Sequence, residues 1–354
     1  MDQDSAYTRE QVREFEIVGQ SVPRVEGYDK VTGRAEYTDD IDLHGMTYAK
    51  VYCSPVAHGI IKKVDVSKAK EYPGVLDVIV GEEHPKKYSV NDLLPTETPL
   101  AVDKVRYFGE GLAAVVAISE QIAAEALALI DVEIEELPAL VNAHDSEASA
   151  DNLIHDFAKN NTNHTAEQHF GDVDDALAKS DVVVEETFYT SMVNGGFIET
   201  QSVVADYDPG KRKLTVYNCN QLAHTLQHTI ARTIDMPLDD IRVIIPNVGG
   251  GFGGKTEATP SVLIASIMSR KIGRPVKLTY DRDESIYQNK GRHACHLSLK
   301  LGFNKDGTIQ ALDLSILLDG GAHSGWGFVV LWFIAALTHL PYKVRNIRYE
   351  GRRV

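Results

Sequence analysis

The sequence predicts an α+β fold of about two domains, and three observations carry that expectation. The chain has 354 residues, 43% of them hydrophobic and 25% charged, enough for a substantial core and more than one domain. Short apolar runs broken by turn residues outnumber stretches with helical spacing. Where two strand-like runs follow each other, a turn of hairpin type joins them, so strands and helices do not alternate regularly.

The elements follow in order. Residues 1–20 are polar and predict a flexible N-terminus. Strand-like pieces follow at 29–37, 46–53 and 75–80. Residues 119–130 are rich in Ala and Leu and predict a helix with Ser119 as N-cap, and Val132-Glu133-Ile134-Glu135 alternates as a strand before Pro138. These define a first domain over 21–140. Residues 141–172 are polar and without sustained periodicity, which predicts a connecting segment before a second domain over 173–354. That domain opens with a strand over 182–189 and a hairpin, 202–207 and 213–218, around Asp208-Pro209-Gly210-Lys211. Leu222, Leu226 and Ile230 recur at helical spacing, so Gln221 stands where a strand hands over to a helix that stops at Met236-Pro237. Thr259-Pro260 predicts an N-cap with a first-turn proline, and Gly273-Arg274-Pro275 the end of that helix. A second hairpin, 296–303 and 308–317, turns at Asp306-Gly307. A glycine-rich loop over 320–327 precedes an apolar stretch over 328–340. That stretch is shorter than the ~20 residues a membrane helix needs and predicts core.

Composition excludes several function classes. A net charge of −15 leaves no basic face for nucleic acid or an anionic membrane. Cys53, Cys219 and Cys295 are far apart and form no CxxC, so neither a disulfide framework nor a cluster or metal site is expected from them. With no secretory signal in the acidic start, a reducing cytoplasm is the expected location.

The chemistry concentrates in Gly249-Gly250-Gly251-Phe252-Gly253-Gly254-Lys255-Thr256, fed by the apolar strand 241–245. Five glycines around one aromatic suit a ligand lying against bare peptide groups. Gly249, Gly254, Lys255 and Thr256 satisfy the phosphate-loop pattern GxxxxGK[ST], which makes a nucleotide-binding protein an alternative. That loop must run directly into a helix. Here Pro260 would fall in the helix's second turn, at a cost of ~3 kcal/mol. Gly249, Gly251 and Gly254 also satisfy GxGxxG, but hairpins flank them where a dinucleotide fold needs a parallel βαβ unit.

Gly249 to Lys255, with Gln221 standing 31 positions before Phe252, resembles the molybdenum-binding subunit of the xanthine dehydrogenase and aldehyde oxidase family. Asp29-Lys30-Val31-Thr32-Gly33, Ser54-Pro55-x-Ala57-His58 and Val105-Arg106-Tyr107-x-Gly109 resemble that family's small α/β hammerhead domain, followed by the first part of an α+β molybdopterin-binding domain. The resemblance implies that Gln221 hydrogen-bonds an oxygen ligand of molybdenum. It also implies that Gly250, Gly251, Phe252 and Gly253 bind the molybdopterin cofactor, in its simple or cytosine dinucleotide form, without ligating the metal. Rigid amide donors at such an oxygen stabilise developing negative charge without reorganisation. The resemblance further implies an iron-sulfur (2Fe-2S) subunit and an FAD subunit as partners, and an aromatic, heteroaromatic or aldehyde substrate.

Two departures qualify the likeness. Thr256 stands where purine-oxidising members carry a substrate-binding glutamate, with Glu257 one position later. The family's arginine-containing substrate loop, its phosphate-wrapping segments and its catalytic glutamate find no counterpart, so the general base is expected outside this chain, on a further molybdopterin-domain segment. Thr256-Glu257-Ala258, the loop 320–327 and Ala336-Leu337-Thr338-His339 resemble the large subunit of 4-hydroxybenzoyl-CoA reductase, a reductive branch. Thr256, Glu257 and His323 are the expected substrate contacts. Glu199 is expected to pair structurally, His224 and His228 to lie on a helix surface, and a non-catalytic scaffold is the remaining alternative.

Overall fold

A computed structural model describes residues 16–90 and 93–354. The flexible segment expected over 1–20 therefore lies mostly outside the described residues. In chain order the described strands are β1 (Thr47–Cys53), β2 (Gly59–Asp65), β3 (Val75–Val80), β4 (Lys104–Val105), β5 (Gly111–Ala117), β6 (Asp131–Glu136), β7 (His164–Phe170) and β8 (Val182–Thr190). They continue as β9 (Ser202–Asp208), β10 (Lys213–Asn218), β11 (Ile241–Ile244), β12 (Val276–Thr279), β13 (Ala294–Phe303), β14 (Ile309–Asp319) and β15 (Asn346–Arg353).

Both expected hairpins form. The β9–β10 turn is closed by the Asp208 carboxylate, which accepts from Gly210 N at 2.9 Å and Lys211 N at 3.1 Å. The β13–β14 turn is closed by Asp306, which accepts from Thr308 N at 3.0 Å. The helix Glu120–Leu127 is capped by Ser119, whose hydroxyl accepts from Ile122 N at 3.3 Å. The helix Pro260–Ile272 starts with proline at its first turn and stops at Gly273, whose φ of 65° is left-handed.

Seven strands join the two halves of the chain into one sheet, in the order β11-β10-β9-β12-β1-β5-β3. The seam is a short parallel pairing, Thr47 with Val276 and Tyr48 with Lys277. Thr47 strengthens it by donating both its N–H (2.8 Å) and its hydroxyl (2.7 Å) to Pro275 O. One sheet face packs against the helices Ala223–Thr233 and Pro260–Ile272, burying Val51, Val116, Val216, Leu226 and Leu263. The opposite face packs against Glu120–Leu127 through Val78, Val115, Ala123 and Ala126. A second sheet, β7-β15-β14-β13-β8, packs on the helix Gly327–Leu337 through Leu314, Ile316, Leu331 and Tyr349, and a small sheet β4-β2-β6 flanks the first half.

Three stretches differ from their sequence reading. Residues 29–37, expected as strand, include the end of a helix, Gly27–Thr32, that Gly33 terminates at φ 73°. Within 141–172, expected as an irregular connection, a helix forms at Ala143–Ala148 and β7 pairs along the length of β15. Strand β7 is an edge with one buried residue, Ala166, so its polar sequence shows no alternation. The apolar helix Gly327–Leu337 buries Leu331 and Ala335 but leaves Trp332, Phe333 and Leu337 exposed, so it is only half core.

Candidate functional site

The glycine run leaves β11 and reaches the helix Pro260–Ile272 through a loop that needs its glycines for two different reasons. Gly250 and Gly253 take φ values of 100° and 85°, which side chains resist. Gly249, Gly251 and Gly254 are needed for space. A Cβ on them would lie 2.4 Å from Glu199 Cβ, 2.6 Å from Gln221 Oε1 and 2.9 Å from Asn289 Oδ1. Three of the five glycines thus serve close packing against side chains, in addition to the bare ligand surface that the sequence suggests. Phe252, at the centre, is held at φ 48° and is 78% exposed. An apolar ring with left-handed backbone at an open surface is strain of the kind found where a ligand is held.

Gln221 is tied to this loop. Its N–H donates to Lys255 O at 2.8 Å, and its Oε1 accepts from Gly253 N at 3.2 Å and Lys255 N at 3.3 Å. With the amide oxygen fixed by two backbone donors, its Nε2 hydrogens have no partner among the described residues, and the residue is exposed. Gln221, Phe252 and Gly253 therefore come together as one outward-facing group. Among the described residues no group of three His, Cys, Asp or Glu side chains is arranged to hold a metal directly. An exposed amide donor beside a glycine backbone fits a cofactor recognised through an acceptor oxygen.

Under the loop lies a buried ion pair. Lys255 Nζ donates to Glu199 Oε2 at 2.8 Å and to Glu199 O at 2.9 Å, over the Phe197 ring with its centroid at 4.6 Å. Gly249 N donates to the same carboxylate oxygen at 2.7 Å. Glu199 is the structural partner expected of it. The phosphate-loop alternative fails here: Lys255 is buried with its charge neutralised, and the helix that should receive the phosphates begins only at Pro260.

Thr256 and Glu257 meet the second glycine loop. The Thr256 hydroxyl donates to Gly253 O at 3.0 Å and accepts from the Trp326 indole N–H at 3.1 Å. Glu257 accepts from Trp326 N at 3.0 Å and ion-pairs with Lys290 at 2.6 Å; Lys290 also bonds Glu97. Burial alone would lower the Lys290 pKa, but the charges of Glu257 and Glu97 outweigh it and hold the ammonium above the usual lysine range. Thr256 stays at the edge of the site, whereas the Glu257 carboxylate is already committed. His323 is held by other partners: its Nε2 lies 3.6 Å from Glu110, its ring stands edge-on to Tyr107, and His155 lies alongside. His155 donates from Nε2 to Ala322 O at 2.6 Å, and burial lowers its pKa to about 3. His224 and His228 are exposed on their helix.

Sequence reasoning missed Arg353. Its guanidinium is fully buried and donates to Asn163 Oδ1 (2.7 Å), Gly320 O (2.6 Å) and His323 O (2.5 Å), pinning the second glycine loop from both sides. Burial lowers its pKa to about 10. Gly320 and Gly327 make room for it, since a Cβ at either would lie within 2.3 Å of the guanidinium. Two glycines seven positions apart facing an arginine were the only available signal.

Residues 154–354 match the family model of the molybdopterin cofactor-binding domain, which is more than half the chain, and residues 32–138 match that of the aldehyde oxidase and xanthine dehydrogenase a/b hammerhead domain. The chain belongs to the aldehyde oxidase and xanthine dehydrogenase family. It is 34% identical to a probable xanthine dehydrogenase subunit of Bacillus subtilis over 93% of its length, and spans 44% of that relative. It is 31% identical to the nicotinate dehydrogenase large molybdopterin subunit of Eubacterium barkeri over 97% of its length, and spans 80% of that one. Among solved structures, quinoline 2-oxidoreductase from Pseudomonas putida 86 superposes with a TM-score of 0.87 at 30% identity, over 95% of this chain and 44% of that one. The architecture is thus the family's hammerhead domain followed by its molybdopterin-binding domain, with the two knit by the seven-stranded sheet.

Proposed function

We propose that this chain is the molybdopterin-binding catalytic subunit, or a fragment of that subunit, of a molybdenum-dependent oxidoreductase that acts on an aromatic, heteroaromatic or aldehyde substrate. The observation that carries the reading is Gln221. Two loop amides clamp its carbonyl oxygen, so its Nε2 hydrogens are offered beside Phe252 and Gly253, where an acceptor oxygen of the cofactor would sit. The bound molybdenum-pterin, in its simple or cytosine dinucleotide form, supplies two-electron chemistry that adds water-derived oxygen to a carbon or, run inward, removes an aromatic hydroxyl.

This chain's residues bind and orient. Gln221 would donate to the cofactor, the backbone of Gly250, Gly251 and Gly253 would help to hold it, and the exposed Phe252 ring would shield it from water. Thr256, held by Gly253 O and Trp326, stands at the substrate side. This chain spans 80% of one relative and 44% of another, and the general base and phosphate-binding segments are assigned to a further molybdopterin-domain segment, on this polypeptide or on another. Iron-sulfur and FAD subunits complete the electron path. The three free thiols Cys53, Cys219 and Cys295 suit a reducing compartment, and the complex is assigned to the cytoplasm.

A heteroaromatic substrate is favoured, since the relative covered to 80% is a nicotinate dehydrogenase subunit. The short loops 256–258, 320–327 and 336–339 favour a second reading, reductive dehydroxylation of 4-hydroxybenzoyl-CoA. The purified native complex should contain molybdenum and pterin near one per chain. Turnover of N-heteroaromatic acids with an electron acceptor, against turnover of 4-hydroxybenzoyl-CoA with a reductant, separates the two readings. A mature complex without molybdenum and pterin would overturn both.

A further inference from the structure

Lys290 joins two carboxylates from distant parts of the chain. Its ammonium ion-pairs with Glu97, from the hammerhead region, and donates to Glu257 Oε2, beside Thr256, at 2.6 Å. The Glu97 and Glu257 side chains are only 3% and 11% exposed, so without a cation between them the two poorly solvated carboxylates would repel each other. The stretch that delivers Lys290 is fixed on both sides: Gln288 Nε2 donates to Gly109 O at 2.6 Å, and Arg292 N donates to Val193 O at 2.8 Å. Glu257 passes this hold on. Its other oxygen, Oε1, accepts from Trp326 N at 3.0 Å, and the Trp326 indole N–H donates to the Thr256 hydroxyl at 3.1 Å. The approach requires Gly325, because a Cβ there would lie 2.9 Å from Glu257 Oε1 and its φ is 44°. The same loop has a second tie to the hammerhead region, where Ser324 N donates to Thr96 Oγ1 at 2.9 Å and Ser324 Oγ to Leu94 O at 2.7 Å. Gln221, by contrast, is clamped by two backbone donors of its own loop, over the separate Lys255–Glu199 pair.

Resting on the proposed function for what Thr256 faces, we infer that Lys290 is a positioning residue for substrate: by locking Glu257 to Glu97 it holds Trp326 against Thr256 and fixes the substrate edge, while the cofactor face at Gln221 is held independently. The hammerhead region thereby takes part in substrate placement. Without the ammonium, Glu97 and Glu257 separate, Glu257 releases Trp326 N, and the indole no longer fixes the Thr256 hydroxyl. A contact made equally with bound substrate and with the transition state appears in KM and not in kcat.

Acrylamide quenching on the 354-residue chain in a Trp332→Phe background, where Trp326 is the remaining tryptophan, reads the loop directly. Lys290→Met should raise the quenching constant about twofold or more as the carboxylates part, and Lys290→Arg, which keeps the charge between them, should restore the parent value. In the native complex, with nicotinate and 4-hydroxybenzoyl-CoA as probes, Lys290→Met should raise KM for the substrate turned over about fivefold or more, the scale of one lost hydrogen bond, with kcat within about twofold of the parent and molybdenum content unchanged. Unchanged quenching in Lys290→Met, quenching raised equally in Lys290→Arg, or a fall in kcat at unchanged KM overturns the inference. Should Lys290→Met misfold, Glu257→Gln tests the same link with Lys290 and Glu97 left as a neutral pair. An amide cannot accept at both ends, so a donor must face either Lys290 or Trp326 N, and quenching should rise as before; unchanged quenching in Glu257→Gln counts against the relay. Quenching is read without cofactor or substrate, so the positioning can fail while the proposed function stands, or the reverse.

Discussion

Gln221 connects a helix start, a loop backbone and the cofactor face through one amide. Replacing it with Ala removes the acceptor for two backbone N–H groups and the donor offered to the cofactor. In the assembled enzyme, kcat should fall about 10²-fold or more, the scale of losing one preorganised donor. A kcat within threefold of the parent would remove Gln221 from the site. Lys255→Met leaves the Glu199 carboxylate buried and uncompensated, and should cost about 3–5 kcal/mol of stability by chemical denaturation. The Lys255→Met/Glu199→Gln double variant should recover much of that loss, because the penalty is the orphaned charge; additivity would contradict this. His155 is neutral in the folded protein, with its pKa at about 3 against 6.5 unperturbed. Between those values the unfolded chain binds a proton that the folded chain does not. Stability is full above about pH 6.5 and declines as pH falls toward 3, by at most ~1.4 kcal/mol per pH unit for this group. His155→Gln should flatten that acid slope in a pH series of melts.

At the scale of elements, local signals and packing contributed unequally. The Asp208 and Asp306 turns, the Ser119 cap and Pro260 are read from a few adjacent residues, because turns and caps are closed by neighbours in sequence. The half-buried helix Gly327–Leu337 and the edge strand β7 are not legible in the same way, because exposure depends on which elements lie opposite. The second glycine loop belongs to the same class. Its shape follows from Arg353, which reaches it from β15, and Gly327→Ala would place a Cβ 2.1 Å from Arg353 Nε. That substitution should destabilise the chain by about 1–3 kcal/mol and loosen the Trp326 contacts to Thr256 and Glu257. An unchanged midpoint and unchanged Trp fluorescence would show that the guanidinium yields without cost.

For the whole molecule, the seven-stranded sheet makes the two matched regions one structural unit. Residues from both, such as Val51, Ile79 and Val116 with Val216, Leu226 and Leu263, share one core. Calorimetry should therefore show one cooperative transition for the chain, and an isolated 32–138 fragment should not unfold cooperatively. Two separated transitions would mean that the β1–β12 seam is a contact between independent bodies. The reading of 21–140 as a self-contained domain could not foresee the seam, because Thr47 and Val276 are distant in sequence and neither strand differs in pattern from one confined to its own sheet.

By itself the sequence determined the local and the familiar: two hairpins, the Ser119-capped helix, the helix that starts at Pro260, the glycine run, and the 31-residue separation of Gln221 from Phe252 that marks the family. Tertiary structure decided what each glycine is for, that Lys255 and Glu257 are held in ion pairs, that Arg353 shapes the second loop, and which apolar surfaces remain open. The division has a physical cause. Turns, caps and φ preferences are settled within a few residues. Burial, charge pairing and sheet edges are settled by partners far along the chain.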